Sequence, residues 1–389
     1  MGCGQKLKKA YAEHKLLCYG MLLLLLLGVY LHMPQSPLRA WAWQKLPYAV
    51  QCDRAAPSWL QALLPLFKQH GYVGVQISYV NAHGQALQCN VGWASVWPPR
   101  RMQSDDTLRY ASISKIFTSA LILQRIQAGH LQFEDNILAA LKLPYTADAP
   151  LAEVTLAQLM RHRAGFDSRV SGDWVFMPQQ WCPTQLQRLS TLKLDFSPNQ
   201  RFAYSNFGYC LLGEVIRQQY AATDLPSVYQ QQLFQPLQVQ IQPITAQAQG
   251  SVDYFYHPQD QNGMHNFPYT NSTAYGGFVG SAHDFSKILQ QIMADPYLKQ
   301  QLSAVHPDCE LSRWQGCHGY AQYIYQQPAQ QRSYWRNGSL PGLTALSMYF
   351  EDQSSIVLLA NGRGGNPTQE NQQLGQLLYK ILSQQDTVN

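Results

Sequence analysis

Strand-like segments lie near both ends of this chain, and helical segments lie between them. Near the start, residues 72–80 alternate as a strand, a turn follows at 81–84, and residues 86–93 continue as a second strand. Near the end, further strand-like runs fall within residues 321–360. This distribution predicts an α+β fold in which both ends of the chain share one antiparallel sheet. Helices flank the sheet, and an inserted helical subdomain occupies about residues 130–270.

Residues 57–70 and 112–128 have the spacing of amphipathic helices. In the second segment apolar side chains recur on one side, and Gly129 follows the last turn, where glycine commonly ends a helix. Further helices are predicted at about residues 155–161, 184–192, 206–219, 225–235, 285–292 and 368–383.

The positive charge of the chain is confined to its start. Residues 1–50 hold six basic residues and one acidic residue, which equals the formal net charge of +5. The remainder is neutral and shows no basic stripe, which argues against nucleic acid as a partner.

An apolar run from Leu16 to about Leu31 follows the basic start. A basic flank before about 16 apolar residues fits either a signal peptide or a short membrane anchor. The A-x-A-like site at 40–42 lies well past this run, which favours an uncleaved anchor. The predicted organisation is a cytoplasmic basic start with a membrane anchor at residues 1–33, a linker at 34–56 and a folded domain at 57–385.

Six cysteines lie outside the N-terminal segment. No C-x-x-C pattern occurs among them, so a structural zinc site is not expected. An even number of cysteines in an oxidising compartment permits disulfides. The nearest pair, Cys309 and Cys317, is the first candidate, and Cys52 with Cys89 is the second. Buried free thiols are the alternative for several of them.

Ser112 and Lys115 form an S-x-x-K pattern at the start of the helix predicted over 112–128. There the helix dipole and free N–H groups favour a developing oxyanion beside the Ser112 hydroxyl. Lys115 lies on the same face one turn later, and burial would lower its pKa enough for its amine to accept the serine proton. A second match, Ser190 with Lys193, lacks this placement and is expected near the surface.

Tyr204 and Asn206 form a Y-x-N pattern just before an apolar helix. A tyrosine beside a lysine can exist partly as phenolate and act as a base. Asn206 has an amide that can donate to a substrate and accept from Lys115.

A third pattern, W-R-N-G-S-L-P-G at residues 335–342, lies between two strand-like runs, which suits an edge strand beside a pocket. Gly338 would let a ligand approach the backbone closely. The N–H groups of Ser339 and Ser112 would together form an oxyanion hole.

With these patterns in this order, the chain resembles the class C β-lactamase and penicillin-binding-protein superfamily of serine hydrolases. The stretches that carry the resemblance are 109–123, 159–166, 196–214, 276–285 and 336–342. The resemblance implies a β-lactamase/transpeptidase-like fold. It implies Ser112 as the nucleophile, Lys115 and Tyr204 as proton-transfer partners, and Asn206, Arg336, Gly338 and Ser339 as substrate-binding residues.

Arg336 stands where the family commonly has lysine or histidine. Arginine keeps a cation for a substrate carboxylate but does not readily shuttle a proton. This departure leaves esterase or peptidase activity open beside that of a β-lactamase.

The function that the resemblance implies is acyl transfer through an acyl-enzyme, with no metal or organic cofactor. Its substrate would be a small molecule or a peptidoglycan-type peptide: a cell-wall peptide, a β-lactam or a carboxylic ester. A non-catalytic envelope protein that retains this fold for binding is the alternative. The expected location is the bacterial inner membrane, single-pass with the catalytic domain in the periplasm, or secretion after signal cleavage.

Overall fold

A computed structural model describes residues 3–32 and 46–384, except positions 97, 147, 174, 176–181, 246, 249 and 256–270. The helices are α1 (Cys3–His32), α2 (Ser58–Gln69), α3 (Lys115–Gln127), α4 (Ile137–Ala140), α5 (Leu156–Met160), α6 (Asn206–Gln219), α7 (Leu225–Tyr229), α8 (Ala282–Ala294), α9 (Pro296–Leu302) and α10 (Pro367–Leu382). The strands are β1 (Val50–Cys52), β2 (Gly74–Val80), β3 (Ala86–Val96), β4 (Pro99–Arg101), β5 (Leu108–Arg109), β6 (Gln242–Pro243), β7 (Phe278–Gly280), β8 (Tyr323–Tyr325), β9 (Ser333–Leu340), β10 (Leu343–Phe350) and β11 (Ser355–Ala360).

The main sheet joins the two ends of the chain. Its strand order is β1, β3, β2, β11, β10, β9 and β8, and β4 pairs with β3 as the eighth strand. The ends meet where β11 pairs antiparallel with β2, with Leu358 opposite Ile77. The predicted α+β fold with a shared antiparallel sheet is therefore confirmed. A smaller sheet of β5, β7 and β6 lies apart from it.

Helices cover both faces of the main sheet. Successive residues of β11 point to opposite faces. Ile356 and Leu358 pack in a core with residues of α2 and α10. Val357 and Leu359 pack in the other core, with residues of α3 and α8. All four side chains are fully buried, which is why this strand has a continuous apolar run instead of polar alternation.

Two helices predicted in the middle of the chain take other forms. The segment predicted at 184–192 is a 3₁₀-helix, Leu186–Thr191. The segment predicted at 225–235 begins as α7 and ends in a π-helix and a 3₁₀ turn, Gln235–Leu237. Pro236 has no N–H for an α-helical hydrogen bond, which accounts for the change at the end of that segment.

Disulfides join the six cysteines of the folded region: Cys52–Cys89, Cys182–Cys210 and Cys309–Cys317. The first and third confirm the predicted pairs, and the second was not predicted. Cys52 and Cys89 lie directly opposite each other on β1 and β3, so strand register brings them together. Cys210 lies on α6. Its bond to Cys182 connects the residues just before the 3₁₀-helix to α6.

The predicted membrane anchor at residues 1–33 is not confirmed by the structure. No helix within the described residues is both long enough and apolar enough to cross a membrane. The physical reason is length, because about 16 apolar residues at 1.5 Å each extend about 24 Å, short of a hydrocarbon core of about 30 Å. The prediction of a single-pass inner-membrane protein with a periplasmic catalytic domain is therefore wrong.

Candidate active site

A sharp turn brings Ser112 to the start of α3. The preceding residue, Ala111, has a φ of 48°, in the left-handed region that residues with a side chain rarely adopt. Ser112 follows in a 3₁₀ turn, Ala111–Ser114, and α3 begins at Lys115. The Ser112 side chain is half-buried, whereas Lys115 is fully buried. The S-x-x-K pair thus lies at a helix N-terminus, with a 3₁₀ turn as the first turn.

Direct hydrogen bonds join Ser112, Lys115 and Tyr204. The Oγ of Ser112 is 2.7 Å from the Tyr204 hydroxyl and 3.2 Å from the Nζ of Lys115. Tyr204 lies 92 positions away from Ser112 in the sequence. Packing of α3 against the start of α6 brings the three together.

Asn206 completes this network from the first residue of α6. Its Oδ1 accepts from the Nζ of Lys115 at 2.7 Å and from the hydroxyl of Tyr204 at 3.0 Å. The side chain of Ser205 caps the same helix, which fixes the direction in which the helix starts. Lys115 also donates to the carbonyl oxygen of Tyr275 at 2.6 Å.

The protonation state of Lys115 is governed first by its burial. Removal from water disfavours the charged ammonium and holds the pKa of Lys115 well below its ordinary value. The positive charge of Arg336 lowers that pKa further, and the negative charge of Asp173 opposes both effects. The net effect shifts the titration of Lys115 towards the neutral amine.

The contacts of the Lys115 amine agree with this neutral state. A neutral amine has two N–H donors and one lone pair. Its two shortest contacts, with Asn206 Oδ1 and the Tyr275 carbonyl, are with oxygens that only accept. In the neutral form those contacts use both donors, which leaves the lone pair for the third neighbour, the Oγ of Ser112 at 3.2 Å. The arrangement suits acceptance of the serine proton by Lys115.

The pKa of Tyr204 is shifted in the opposite direction from that of Lys115. Burial raises the pKa of Tyr204, while the positive charge of Arg336 and the hydrogen bond with Ser112 act to lower it. The net increase favours the neutral phenol, which differs from the expectation of a partly ionised phenolate. In this site Tyr204 is a better proton donor than a base.

Ser112 opens into a cleft of about 510 Å³. The residues that line it are Ser112, Ser168, Arg169, Phe202, Ala203, Tyr204, Gln315, Tyr323, Arg336, Asn337, Ser339 and Thr368. No acidic side chain is among these described lining residues. The volume is within the range that holds small organic ligands.

Arg336 forms part of the cleft wall but is almost wholly buried. Its Nη1 donates to the Nε2 of His318 at 2.9 Å and to the carbonyl oxygen of Ala321 at 3.2 Å. Burial and the neighbouring arginine hold the pKa of His318 well below its ordinary value, which keeps the imidazole neutral and able to accept. The Arg336 guanidinium also lies 5.0 Å from the centre of the Tyr204 ring.

The end of β9 lies beside the cleft with an open edge. Among the described strands, β8 pairs only with residues 333–335 of β9, so residues 336–340 have no neighbouring strand on that side. The strand includes residues 335–340 of the third pattern. Ser339 accepts a hydrogen bond from the Nη1 of Arg363 at 2.7 Å.

Gly338 fits against the turn that carries Ser112. A Cβ at this position would lie 2.5 Å from the carbonyl oxygen of Tyr110 and 3.0 Å from the backbone nitrogen of Ser112. These are backbone atoms, which cannot move aside without displacing the turn. Glycine is therefore required here for close packing of two protein segments, a reason different from the predicted close approach of a ligand.

Other residues of the site were not found from the sequence. Asp173 accepts a hydrogen bond from the Nδ2 of Asn206 at 2.7 Å. It lies in a loop without a recognisable pattern, and the Tyr275 carbonyl carries no side-chain signal at all. His162 holds the loop before α6, because its Nδ1 accepts from the backbone nitrogen of Ser205 at 3.2 Å.

The second S-x-x-K match lies away from this network. Ser190 and Lys193 are both exposed, and the Oγ of Ser190 donates to a backbone carbonyl one turn earlier in its own 3₁₀-helix. Its predicted position near the surface is confirmed.

The family model described as Beta-lactamase matches residues 59–379. A relative from Dichelobacter nodosus, described as "Putative fimbrial assembly protein FimD, serogroup D", is 30% identical over 365 residues, which are 90% of this chain and 89% of the relative. The "D-alanyl-D-alanine-carboxypeptidase/endopeptidase AmpH" of Escherichia coli is 27% identical over 143 residues, 35% of this chain and 36% of the relative.

Among solved structures, the D-amino acid amidase from Ochrobactrum anthropi is similar in fold. The TM-score is 0.67, and the match covers 83% of this chain and 98% of that chain. The two sequences are 18% identical, so the likeness concerns the fold alone.

Proposed function

Because this chain belongs to the β-lactamase family, we propose that it is a serine hydrolase that cleaves amide or ester bonds through a covalent acyl-enzyme on Ser112. The observation that carries the proposal is the position of the Ser112 Oγ, which opens into the cleft and contacts both Lys115 and Tyr204. A hydroxyl with a base and an acid in hydrogen-bonding distance, beside space for a carbonyl group, is what nucleophilic catalysis requires.

Acylation begins with transfer of the Ser112 hydroxyl proton to the lone pair of Lys115. The Oγ forms a bond to the substrate carbonyl carbon, and the carbonyl π-electrons move to its oxygen. The backbone N–H groups of Ser112 and Ser339 are the proposed donors to this oxyanion. Support comes from the fit of Gly338 against the turn, which brings β9 next to the backbone nitrogen of Ser112.

The tetrahedral intermediate then loses its leaving group. The bond from the carbonyl carbon to the leaving nitrogen or oxygen breaks, and the leaving atom takes the phenolic proton of Tyr204. The protonated Lys115 gives a proton to the Tyr204 phenolate, which restores the neutral amine and the phenol; both groups lie beside the Ser112 oxygen. Attack by water on the acyl-enzyme, with the same groups acting in reverse order, restores Ser112.

We further propose that the substrate carries a carboxylate. Arg336 and Arg169 line the cleft, and Arg363 contacts it through Ser339. A cleft with cations and without described acidic lining attracts anionic ligands. A short peptide with a free carboxyl end, or a β-lactam, fits this field better than a neutral ester. The partial similarity to a D-alanyl-D-alanine-carboxypeptidase supports the same class.

Covalent trapping tests the proposal. Intact-mass analysis is expected to show one adduct per molecule with a fluorophosphonate and with a penicillin, and none with either reagent after Ser112→Ala. The methyl ester of the same penicillin is the matched probe for the carboxylate. It is expected to acylate the protein at least about tenfold more slowly, since a charged hydrogen bond contributes about 1.5–3 kcal/mol.

Each other result contradicts a defined part of the proposal. Equal rates for the penicillin and its methyl ester would contradict carboxylate recognition. An adduct with the fluorophosphonate alone would leave a hydrolase of neutral esters. No adduct with any reagent would contradict the hydrolase and favour the non-catalytic binding protein.

The Gly338→Ala variant is expected to lose activity through the position of Ser112. The added methyl group overlaps backbone atoms of the Ser112 turn, and a shift of about 1 Å at a nucleophile can cost on the order of 100-fold in rate. The measurement is the rate of fluorophosphonate labelling, with thermal unfolding beside it. Gly84→Ala is the control for backbone strain alone, because Gly84 has a restrictive φ of 76° but a Cβ there meets no atom within 4 Å. Labelling that is equally fast in both variants would contradict the packing role.

A second candidate function is a part in fimbrial assembly. The observation in its favour is that the Dichelobacter nodosus relative of that description aligns with 90% of this chain. Counting fimbriae after deletion of the gene, and after complementation with wild type or Ser112→Ala, tests this role. Unchanged fimbriae after deletion would contradict it, and rescue by Ser112→Ala would separate it from hydrolysis.

A further inference from the structure

The carboxylate of Asp173 lies against the side-chain amide of Asn206. Its Oδ2 accepts a hydrogen bond from the Nδ2 of Asn206 at 2.7 Å. We propose that Asp173 is a positioning residue of this site, whose carboxylate holds the Asn206 amide with Oδ1 facing Lys115 and Tyr204. The inference rests on the proposed hydrolase function.

The orientation of the Asn206 amide matters because its two ends differ. Its Oδ1 accepts from Lys115 and from Tyr204 in the structure. A flipped amide would place an NH₂ group against the lysine amine and the phenol, so that donors would face donors. The Lys115 lone pair would then turn from Ser112 towards the amide, and the base would be lost. An ionised carboxylate accepts only, so Asp173 is compatible with one of the two orientations.

A second bond to α6 lies further along the chain from Asp173. Cys182 is bonded to Cys210, which lies one turn after Asn206 on the same helix. Both half-cystines are buried. Helix α6 is thus joined to Asp173 by a hydrogen bond at its first residue and to Cys182 by a disulfide one turn later.

The charge of Asp173 also acts on Lys115. The negative carboxylate raises the pKa of Lys115, against the lowering by burial and by Arg336. Other titratable or charged groups around the amine are His162, His318, Tyr204, Tyr209 and Tyr275. Because the Asp173 carboxylate raises the pKa of Lys115, neutralising it is expected to move the Lys115 titration to lower pH.

The test compares Asp173→Asn with Asp173→Ala. The asparagine oxygen can still accept from Asn206, so Asp173→Asn is expected to label with a fluorophosphonate within about threefold of wild type. Asp173→Ala removes the acceptor that fixes the orientation of the Asn206 amide, and this variant is expected to label at least about tenfold more slowly. The stability control is Asp224→Ala, which removes a carboxylate that caps α7 by accepting from Ser227 at 2.9 Å.

A second readout does not depend on activity. The titration of Lys115 is followed by NMR of ¹³C-labelled lysine side chains, with the resonance assigned by its loss in Lys115→Met. Both Asp173 variants are expected to titrate at lower pH than wild type, and Asp224→Ala is expected to titrate with wild type.

The outcomes separate the two proposals. Wild-type labelling rates in Asp173→Ala, or equal slowing of both variants with an unchanged Lys115 titration, would overturn the positioning role. If wild type is not labelled at all, the hydrolase proposal fails on its own. The Lys115 titration then still decides the effect of Asp173, since an unchanged titration in both variants overturns it and a downward shift supports it.

Discussion

Replacing Ser112 with alanine is expected to reduce hydrolysis by about 10⁴-fold or more while the fold is retained. The Oγ is the atom that forms the proposed covalent bond, and it is hydrogen-bonded to the Nζ of Lys115. The side chain is half-buried at the start of α3, so its removal leaves no large cavity. The measurement is the steady-state rate with a chromogenic ester or β-lactam, together with Tm.

The matched control for this prediction is Ser190→Ala. Ser190 also begins an S-x-x-K pattern but is exposed in a 3₁₀-helix, so its loss should leave the rate unchanged. Comparable activity in Ser112→Ala and wild type would contradict the assignment of Ser112 as the nucleophile. Equal losses in both variants would point to damage to the fold rather than to the chemistry.

Replacing Lys115 with methionine is expected to reduce the acylation rate by about 10²- to 10⁴-fold, the usual contribution of a general base. Methionine fills similar space but has no amine to accept the Ser112 proton. Two effects on stability oppose each other. Removal of a desolvated amine stabilises the fold, whereas the Tyr275 carbonyl loses its donor. Tm is therefore expected to change by only about 5 °C or less.

The pH dependence of acylation gives a second view of Lys115. In wild type the rate is expected to fall as pH decreases through the lysine pKa, because a protonated amine has no lone pair. Burial holds that pKa well below its ordinary value, so the rate should be maintained to lower pH than an exposed lysine would allow. The same limb is expected to be absent in Lys115→Met and present in Lys193→Met, which changes an exposed lysine. A limb that persists in Lys115→Met would assign the base to another group.

The extent of the fold that could be predicted follows from the range of the interactions concerned. The strand pairs at both ends and the helices at 57–70 and 368–383 were visible because periodicity is a property of neighbouring residues. The change of helix type near Pro236 was missed, since the α-helical spacing continued past it. The predicted membrane anchor failed on length, because periodicity and charge were present but the apolar run was too short.

The sequence showed which side chains could take part in catalysis, but it did not show the contacts between them. Ser112 with Lys115 and Tyr204 with Asn206 were found as two local patterns. A partly ionised phenolate was expected for Tyr204, because its burial was not visible in the sequence. Burial raises the pKa of Tyr204 and favours the phenol. Asp173 escaped notice because a single acidic residue in a loop has no pattern.

By itself, the amino-acid sequence determined the type of most segments, the strand content at the two ends and the identity of the nucleophile candidate with its neighbouring lysine. These depend on residues within a turn or two of one another. Only the tertiary structure decided that burial lowers the pKa of Lys115, that Gly338 packs under the Ser112 turn, and that Asp173 meets Asn206. Each of these depends on burial or on distances between segments far apart in the chain, and such distances are set by how helices and strands pack.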